Sequence, residues 1–333
     1  MKSTVTRTTP KGSAIVSYPG YASAIRRILF TFISNPSPSC LGATRMTETK
    51  GKICIVTGSN SGIGKETALA LAKMSAAVVM VVRSRERGEK ARAEIVKETG
   101  NDATRVMICD VSSMDSTRKF AKEFKDAYHR LDVLVNNAGA FFSKRQTTVD
   151  GFEQTLAVNY LGPFLLTHEL LPLLKSSAPS RIVNVGSGLA SSGKIALDDL
   201  QYEKNYSGMK AYANSKLILT MYTYELARRL EGSGVAANVL EPGFVATNLG
   251  KSSGSLLTSL VYTMARPMQI NAKKGAETSV YLASAPELES VTGKCFAKLQ
   301  ETITSQLSYD QQMQGRLWDV TVELLGLSPM HHT

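Results

Sequence analysis

Short apolar runs alternate with segments of helical periodicity from position 52 onward. The runs are too brief for helices and predict buried strands at 53–56, 78–82, 106–108, 133–135, 182–185 and 235–240. Helical patterns cover about 62–74, 85–98, 114–128, 153–174 and 210–231. Repeated strand–helix units with continuously apolar strands indicate a parallel sheet that is covered by helices on both faces. The predicted fold is therefore α/β, a doubly wound parallel sheet in a single domain.

The first 45 residues differ in composition from the rest of the chain. They contain six Lys and Arg residues, many Ser and Thr residues and no Asp or Glu. This composition is typical of an organelle transit segment, and it also fits a disordered leader or an upstream extension of a reading frame that starts at Met46. We predict a leader at 1–45 and a folded domain with a C-terminal helix at 46–333. The protein is expected to be cytoplasmic, with organelle import through the leader as the alternative.

The charge of the chain is unevenly distributed. The 333 residues include 39 Lys and Arg against 28 Asp and Glu, a net charge of +11. Because six basic residues lie in the acid-free leader, residues 46–333 carry a net charge of only +5. No base-reading motif or basic and aromatic stripe accompanies this charge, which disfavours nucleic-acid binding. The apolar runs are much shorter than the roughly 20 residues of a membrane-spanning helix, so we expect no membrane span.

The four cysteines are far apart, at positions 40, 54, 109 and 295. None forms a C-x-x-C pair or a cluster with histidine at a metal-binding spacing. We therefore expect no metal site, and a chain that works in a reducing compartment.

A glycine-rich segment connects the first predicted strand to the first helix. It reads Gly58-Ser59-Asn60-Ser61-Gly62-Ile63-Gly64. Glycine allows sharp turns and a close backbone approach, and a helix N-terminus presents unpaired N–H groups to an anion. Since a strand precedes and a helix follows, we predict a loop that binds the pyrophosphate of a dinucleotide; a simple tight turn is the alternative.

The end of the second predicted strand indicates which dinucleotide binds. A carboxylate here would accept a hydrogen bond from the ribose of NAD(H), but the chain has Val82-Arg83-Ser84-Arg85. A guanidinium favours the additional 2′-phosphate of NADP(H). Arg83 therefore predicts that NADPH is preferred over NADH, unless these charges only begin a solvated helix face.

These segments resemble the short-chain dehydrogenase/reductase family, whose cofactor loop has the pattern T-G-x-x-x-G-x-G. Further motifs of that family match in order: Asn136-Asn137-Ala138-Gly139, Asn159, Ser187, Tyr212-x-x-x-Lys216, and Pro242-Gly243 through Thr247. A finer resemblance, to the retinol-dehydrogenase-like branch, rests on Asn184-Val185-Gly186-Ser187, Asp199-Leu200, Ala211-Tyr212-x-x-Ser215-Lys216-Leu217, Glu241-Pro242-Gly243, Gly275-Ala276 and Leu317-Trp318 through Leu324. The resemblance covers about 50–327. It implies a Rossmann-type fold and a carbonyl reductase or alcohol dehydrogenase with a nicotinamide cofactor.

The resemblance implies roles for four residues. Tyr212 would exchange a proton with the substrate oxygen, and Lys216 would tune that tyrosine and bind the nicotinamide ribose. Ser187 would donate to the substrate oxygen, with a helix or turn cap as the alternative for this serine, and Asn159 would anchor a water that relays protons to Lys216. A phenol with a pKa near 10 is a poor base at neutral pH, and an ammonium one helical turn away favours the phenolate.

A second Tyr-x-x-x-Lys match exists at Tyr206 and Lys210. Gly208 lies between that pair and opposes a regular helical turn, whereas Tyr212 opens an apolar run and shares a helix face with Lys216. We therefore predict Tyr212 as the acid/base residue.

The resemblance also implies the remaining cofactor contacts. Asp110 would meet the adenine amino group and Val111 would line the ring, although Asp110 could also cap the helix near position 114. Asn137 is interpreted first as a structural residue beside the cofactor. The other expected contacts are Ala138, Gly139, Pro242, Gly243, Val245 and Thr247.

Two positions depart from the family pattern. Gly186 stands where the branch usually has serine. Pro163 follows Gly162 in the helix after Asn159, where it is expected to bend the helix.

Apolar residues recur at helical spacing within 244–274. Core packing is one interpretation of this stripe, and a hydrophobic lid over a substrate is the other. We expect a small hydrophobic aldehyde or ketone and its alcohol as substrates, with a catalytically silent NADP(H)-sensing protein as the alternative. The apolar C-terminal segment around Trp318 is expected to cover the domain or to form a homo-oligomer interface, rather than to dock a different partner.

Overall fold

The computed structural model describes residues 49–243 and 271–328. The predicted leader 1–45 and most of the segment 244–274 lie outside these ranges. The strands are β1 (Ile53–Thr57), β2 (Ala77–Val82), β3 (Arg105–Ile108), β4 (Val133–Asn136), β5 (Ser180–Val185), β6 (Val235–Glu241), β7 (Cys295–Ala297) and β8 (Gln300–Thr302). The longer α-helices are α1 (Gly62–Lys73), α2 (Arg85–Thr99), α3 (Met114–Ala127), α4 (Gly162–Ser176), α5 (Gly208–Arg229), α6 (Ala272–Ser284) and α7 (Gln311–Leu324). In the two described ranges, no helix is both long and apolar enough to cross a membrane.

The strands of the described residues form one eight-stranded sheet. Their order is β3-β2-β1-β4-β5-β6-β7-β8, and neighbouring strands are parallel except for the antiparallel pair of β7 and β8. β1 pairs with β2 on one side and with β4 on the other, so the chain reverses its winding direction there. Doubly wound sheets bind ligands at the carboxyl ends of the strands beside such a reversal. The loops after β1 and β4 are therefore expected to form the site.

Burial on both faces explains why the strands are continuously apolar. In β1, Cys54 packs into one apolar layer and the next residue, Ile55, into the other, and both are fully buried. Val78 and Val79 of β2 divide in the same way. Because successive side chains of a strand point to opposite faces, a strand with helices on both sides needs apolar residues throughout. The six predicted strands are confirmed to within two residues at either end.

Some elements differ from the prediction. β7 and β8 have three residues each, too few for periodicity to be detected, and α6 was also not predicted. The single helix predicted at 153–174 is divided into a short turn Gln154–Leu156, a π-helical segment Ala157–Leu161 and α4.

The C-terminal helix α7 covers the domain. Trp318 is 3% exposed and packs against Phe164 and Tyr222, with ring centroids 4.9 and 5.8 Å from its own. Arg229 lies over the same indole, 4.3 Å from its centroid. Of the two interpretations of this segment, covering the domain is confirmed for Leu317 and Trp318, which are both buried within the chain itself.

Candidate active site

Three glycines build the loop after β1. Gly58 and Gly62 have φ angles of +66° and +58°, a backbone region that residues with side chains rarely adopt. Gly64 lies in the first turn of α1, where an added Cβ would come within 2.6 Å of the carbonyl oxygen of Gly58. The first two glycines therefore shape the turn, and the third allows α1 to begin directly against it.

The same loop holds polar groups that make no hydrogen bond to other described residues. The side chain of Ser61, which precedes α1, makes no capping hydrogen bond to the first turn. The hydroxyl of Ser59 is buried and has no partner among the described residues. The first N–H groups of a helix lack intrahelical acceptors and lie at its positive end. An anion such as a pyrophosphate fits this arrangement, because it accepts hydrogen bonds from both the serine hydroxyls and the N–H groups of the helix.

Thr57, at the end of β1, ties the glycine loop to the turn after β4. Its hydroxyl oxygen accepts hydrogen bonds from the N–H groups of Asn137 and Ala138, each at 2.9 Å. The Asn137 amide donates to the carbonyl oxygen of Thr57 at 2.7 Å. These bonds agree with a structural role for Asn137. The sequence analysis did not assign a role to Thr57. The residue begins the glycine-rich motif, and its position there does not reveal its hydrogen bonds to the turn after β4.

Arg83 follows β2, the strand beside β1. The residue is exposed and makes no ion pair within the described part of the chain, whereas Arg92 further along α2 lies 3.7 Å from Glu89. Ser84 caps α2 by accepting a hydrogen bond from the N–H of Arg87. The guanidinium of Arg83 is therefore free of protein carboxylates there and can meet a phosphate.

Asp110 and Val111 follow β3 in the next loop. The Asp110 carboxylate accepts hydrogen bonds from the N–H and the hydroxyl of Ser112, at 3.0 and 2.7 Å. The alternative that Asp110 caps α3 is wrong: Ser113 is the N-cap and accepts from the N–H of Ser116. The cap must directly precede the first helical residue, and Asp110 lies too early in the chain. Its second carboxylate oxygen makes no hydrogen bond to the described residues.

Tyr212 and Lys216 lie one turn apart on α5. Lys216 is 3% exposed, and its ammonium donates to the carbonyl oxygen of Val185, at the end of β5, at 2.7 Å. The ammonium lies 6.0 Å from the centroid of the Tyr212 ring, which packs edge-on against Phe141. Removal from water lowers the pKa of Lys216 to about 8. The side chain is therefore still mostly protonated at pH 7.

The competing Tyr206 has other partners. Its hydroxyl donates to the carbonyl oxygen of Phe142 at 2.9 Å and lies 3.2 Å from the buried carboxylate of Glu153. Burial raises the pKa of Tyr206 to about 12, which opposes action as a base at neutral pH. Gly208 begins α5 rather than breaking a turn, and an added Cβ there would meet the Phe142 carbonyl oxygen at 2.2 Å. Tyr206 is thus a structural residue, and Tyr212 is the candidate.

Ser187 follows β5 and is half-buried. Its hydroxyl oxygen accepts a hydrogen bond from the N–H of Leu189 at 3.3 Å and so caps the 3₁₀ turn Gly188–Ser192. Accepting uses only a lone pair, so the O–H remains able to donate. An added Cβ at the preceding Gly186 would lie 2.8 Å from the carbonyl oxygen of Leu240. The glycine at this position therefore accompanies a close approach of the β5 end to β6.

Asn159 lies in the π-helical segment Ala157–Leu161 and is 1% exposed. Its amide donates to the carbonyl oxygen of Ala140 at 3.0 Å and to the hydroxyl of Ser215 at 2.9 Å, and it accepts from the N–H of Ala140 at 2.8 Å. Pro163, four residues later, has no N–H to donate to the main-chain carbonyl of Asn159. The helix irregularity expected around Pro163 is a π-helical segment that precedes it.

The turn after β4 connects these parts of the site. A Cβ added at Gly139 would lie 3.5 Å from both the amide oxygen of Asn159 and the ammonium of Lys216. At the end of β6, Gly243 follows Pro242 with a φ of +82°. The expected contacts Val245 and Thr247 lie outside the described residues. The described candidates are thus distributed over the loops at the carboxyl edge of the sheet and on the helices beside them.

A model of the family described as short chain dehydrogenase matches residues 52–256. Retinol dehydrogenase 13 of Mus musculus is 42% identical over 290 residues, which cover 84% of this chain and 86% of that protein. Retinol dehydrogenase 12 of Homo sapiens is 43% identical over 277 residues, with 83% and 87% covered. The sequence similarity therefore spans most of both chains.

Solved structures show the same similarity. An uncharacterized protein from Mycobacterium Paratuberculosis is 31% identical with a TM-score of 0.71, and the match covers 88% of this chain and 100% of that one. A short chain dehydrogenase from Burkholderia cenocepacia, solved in complex with NADP, is 28% identical with a TM-score of 0.59, covering 75% and 97%. With a Rossmann-type sheet, a family match over more than half of its length and these relatives, the chain belongs to the short-chain dehydrogenase family of oxidoreductases.

Proposed function

We propose that this oxidoreductase uses NADP(H) to interconvert a hydrophobic aldehyde or ketone and its alcohol. The observation that carries the proposal is the buried ammonium of Lys216 beside Tyr212 on one helix. Among the described residues this ammonium has no carboxylate partner, and a buried cation of that kind costs free energy. Ionisable groups whose pKa is shifted by burial are concentrated at sites of chemistry.

Tyr212 is the proposed acid/base residue. In the direction of reduction its O–H gives a proton to the carbonyl oxygen, and in the direction of oxidation its phenolate takes a proton from the alcohol. The positive charge of Lys216 stabilises that phenolate. When bound, the nicotinamide supplies or accepts the hydride.

Ser187 and Asn159 complete the proposed proton chemistry. The O–H of Ser187, which its capping bond leaves unused, donates to the substrate oxygen and holds the carbonyl in place. The main-chain carbonyl of Asn159, which Pro163 leaves without its regular helical donor, accepts from a water that relays protons to Lys216. The side chain of Asn159 is bonded to Ala140 and Ser215, so the proposed water is held by its main chain.

The proposed cofactor contacts extend across the edge of the sheet. The loop from Gly58 to Gly64 would hold the pyrophosphate, Arg83 the 2′-phosphate, and Asp110 with Val111 the adenine. The exposed Arg83, free of ion pairs in the described ranges, supports NADP(H) over NAD(H). The Burkholderia cenocepacia structure, solved in complex with NADP, supports the same choice. The remaining proposed contacts, beside the nicotinamide, are Asn137, Ala138, Gly139, Pro242, Gly243, Val245 and Thr247.

The relatives support an apolar substrate. Two proteins at 42 and 43% identity are named for retinol, an alcohol with a large hydrocarbon skeleton. The apolar residues at helical spacing within 244–274 support a hydrophobic lid, which would also favour an apolar substrate. We propose lipophilic aldehydes, ketones and alcohols as the substrate class, with retinal as one member.

Tyr212→Phe tests the proposal, with Tyr206→Phe as the matched control. We expect Tyr212→Phe to lower kcat by at least about 100-fold, because the acid/base group is lost, and to leave the Kd of NADPH nearly unchanged. Tyr206→Phe should keep most of the activity. NADPH oxidation with aldehydes of graded chain length and ring content measures kcat, and fluorescence titration measures the Kd.

Two results would contradict the proposal. A large loss of kcat in Tyr206→Phe with little loss in Tyr212→Phe would reject Tyr212 as the acid/base residue. Stoichiometric binding of NADPH by the wild-type protein, without turnover of any compound in the panel, would reject the activity itself.

A further inference from the structure

We propose that Ser215 is a positioning residue of the reaction: its hydroxyl holds the side chain of Asn159, and through Asn159 the turn Gly139–Ala140 beside Lys216. This inference rests on the proposed function, because it concerns the surroundings of the proposed proton relay. Ser215 belongs to the motif around Tyr212, but none of the roles assigned above uses it.

The hydroxyl of Ser215 both donates and accepts a hydrogen bond. It donates to the main-chain carbonyl of Tyr212 at 2.8 Å, so the oxygen presents its lone pairs to other groups. The amide nitrogen of Asn159 donates to that oxygen at 2.9 Å. Ser215 is 1% exposed, so this bond lies in the interior of the protein. The catalytic helix is thereby tied directly to the π-helical segment.

Asn159 in turn holds the turn after β4 in place. Its amide bonds both the N–H and the carbonyl oxygen of Ala140. These two bonds use the amide oxygen and one N–H, and Ser215 takes the other N–H. A three-point attachment of this kind fixes both the position and the flip of the amide group.

The attached turn lies beside the proposed proton relay. A Cβ at Gly139 would be 3.5 Å from both the amide oxygen of Asn159 and the ammonium of Lys216. A displacement of the Asn159 amide would therefore change the surroundings of the buried ammonium. Ser215 directly precedes Lys216 and lies about 100° around the helix, so one turn of α5 carries both the cation and the group that orders its surroundings.

A cavity beside Ser215 makes a conservative substitution feasible. It has a volume of about 190 Å³, and its lining combines apolar residues such as Leu156 and Ile218 with polar ones such as Glu153 and Asn214. Ser215→Thr keeps the hydroxyl and places one additional methyl group next to this space. Ser215→Ala removes the hydroxyl and leaves an N–H of Asn159 buried without an acceptor.

The first experiment compares kinetics. We expect Ser215→Ala to lower kcat by about 10- to 100-fold, as small displacements in active sites do, with an unchanged Kd of NADPH and a shifted pH profile of kcat. Ser215→Thr should restore kcat and the profile. Thr220→Val is the control: this buried hydroxyl also donates to a main-chain carbonyl one turn back, that of Lys216, and makes no hydrogen bond to Asn159 in the described ranges. It should retain wild-type kcat.

The second experiment does not depend on activity. Hydrogen exchange of the Ala140 amide, which donates to Asn159, should accelerate in Ser215→Ala and return to the wild-type rate in Ser215→Thr. If the wild-type protein turns over no substrate, the proposed function fails, and this exchange rate still decides whether Ser215 holds Asn159.

Three outcomes would overturn the inference. The first is an Ala140 exchange rate that is unchanged in Ser215→Ala. The second is a wild-type kcat and pH profile in that variant. The third is an equal loss of kcat in Thr220→Val, because the hydroxyl would then act only on helix stability.

Discussion

Lys216 occupies the costliest environment among the residues of the proposed site. Burial lowers its pKa from 10.5 to about 8, so the folded protein holds the proton less tightly than the unfolded chain does. Its one hydrogen bond among the described residues goes to the main-chain carbonyl of Val185. The charged Lys216 therefore lowers the free energy of unfolding, and the proposed chemistry needs a cation at this position.

We expect Lys216→Met to abolish turnover and to stabilise the protein at neutral pH. The pKa difference corresponds to a penalty of about 3 kcal/mol while the lysine is charged. Loss of the hydrogen bond from this charged donor to Val185 offsets about 1.5 to 3 kcal/mol of the gain, so the net gain at neutral pH is at most about 1.5 kcal/mol. The penalty is complete below about pH 8 and disappears as the pH rises toward 10.5, because only the unfolded chain keeps the proton in that window. Urea unfolding should show a gain that is largest at pH 7 and shrinks by pH 10.

Lys210→Met is the control for that comparison. Lys210 is exposed on the same helix, so its removal should change the free energy of unfolding by no more than about 0.5 kcal/mol. A free-energy difference between Lys216→Met and the wild type that stays the same from pH 7 to pH 10 would contradict the desolvation of Lys216.

Arg83 decides the proposed cofactor preference. We expect Arg83→Ala to raise the Kd of NADPH by about 10- to 100-fold, the effect of one charge-assisted hydrogen bond. The Kd of NADH should change little, because NADH lacks the 2′-phosphate. Titration of both cofactors measures this, with exposed Lys90→Ala, on the helix α2 that follows Arg83, as the control. An equal loss of affinity for NADPH and NADH would contradict the proposal that Arg83 binds the 2′-phosphate.

At the scale of elements, close backbone contacts set where the helices of the site begin. Cβ atoms added at Gly64, Gly162 and Gly208 would lie 2.6, 2.1 and 2.2 Å from carbonyl oxygens of other segments. Each of these glycines lies at or near the first residue of a helix. The partners of Gly162 and Gly208, Val111 and Phe142, are distant in the sequence, whereas Gly58, the partner of Gly64, belongs to the same loop. The reason for glycine at 162 and 208 was therefore not apparent until the segments were brought together.

The helix α7 offers a test of how the C-terminal element contributes. Trp318→Ala should lower the free energy of unfolding by about 3 to 5 kcal/mol, because it leaves a cavity among Phe164, Tyr222 and Arg229. Arg316→Ala, at an exposed position of the same helix, should change it by less than about 0.5 kcal/mol. Urea denaturation of both variants measures the difference. Wild-type stability of Trp318→Ala would show that α7 is not part of the core.

At the scale of the whole molecule, the sheet order assembles the site. Parallel strands end at one edge, so the loops after β1, β4, β5 and β6 lie side by side although they are up to about 180 residues apart in the chain. The reversal at β1 opens the crevice there. The helices α4 and α5 then add Asn159 from the segment before α4, and Tyr212 with Lys216, to the same region.

The sequence alone determined six of the eight described strands, most helices, the glycine loop and the family motifs, because periodicity and turn chemistry are local properties of the chain. It also favoured Tyr212 over Tyr206. Only the tertiary structure decided that Lys216 is desolvated, that Tyr206 bonds Phe142 and that Ser113 rather than Asp110 caps α3. Burial and hydrogen-bond partners are created by packing between segments that are distant in the sequence, and no local pattern records them.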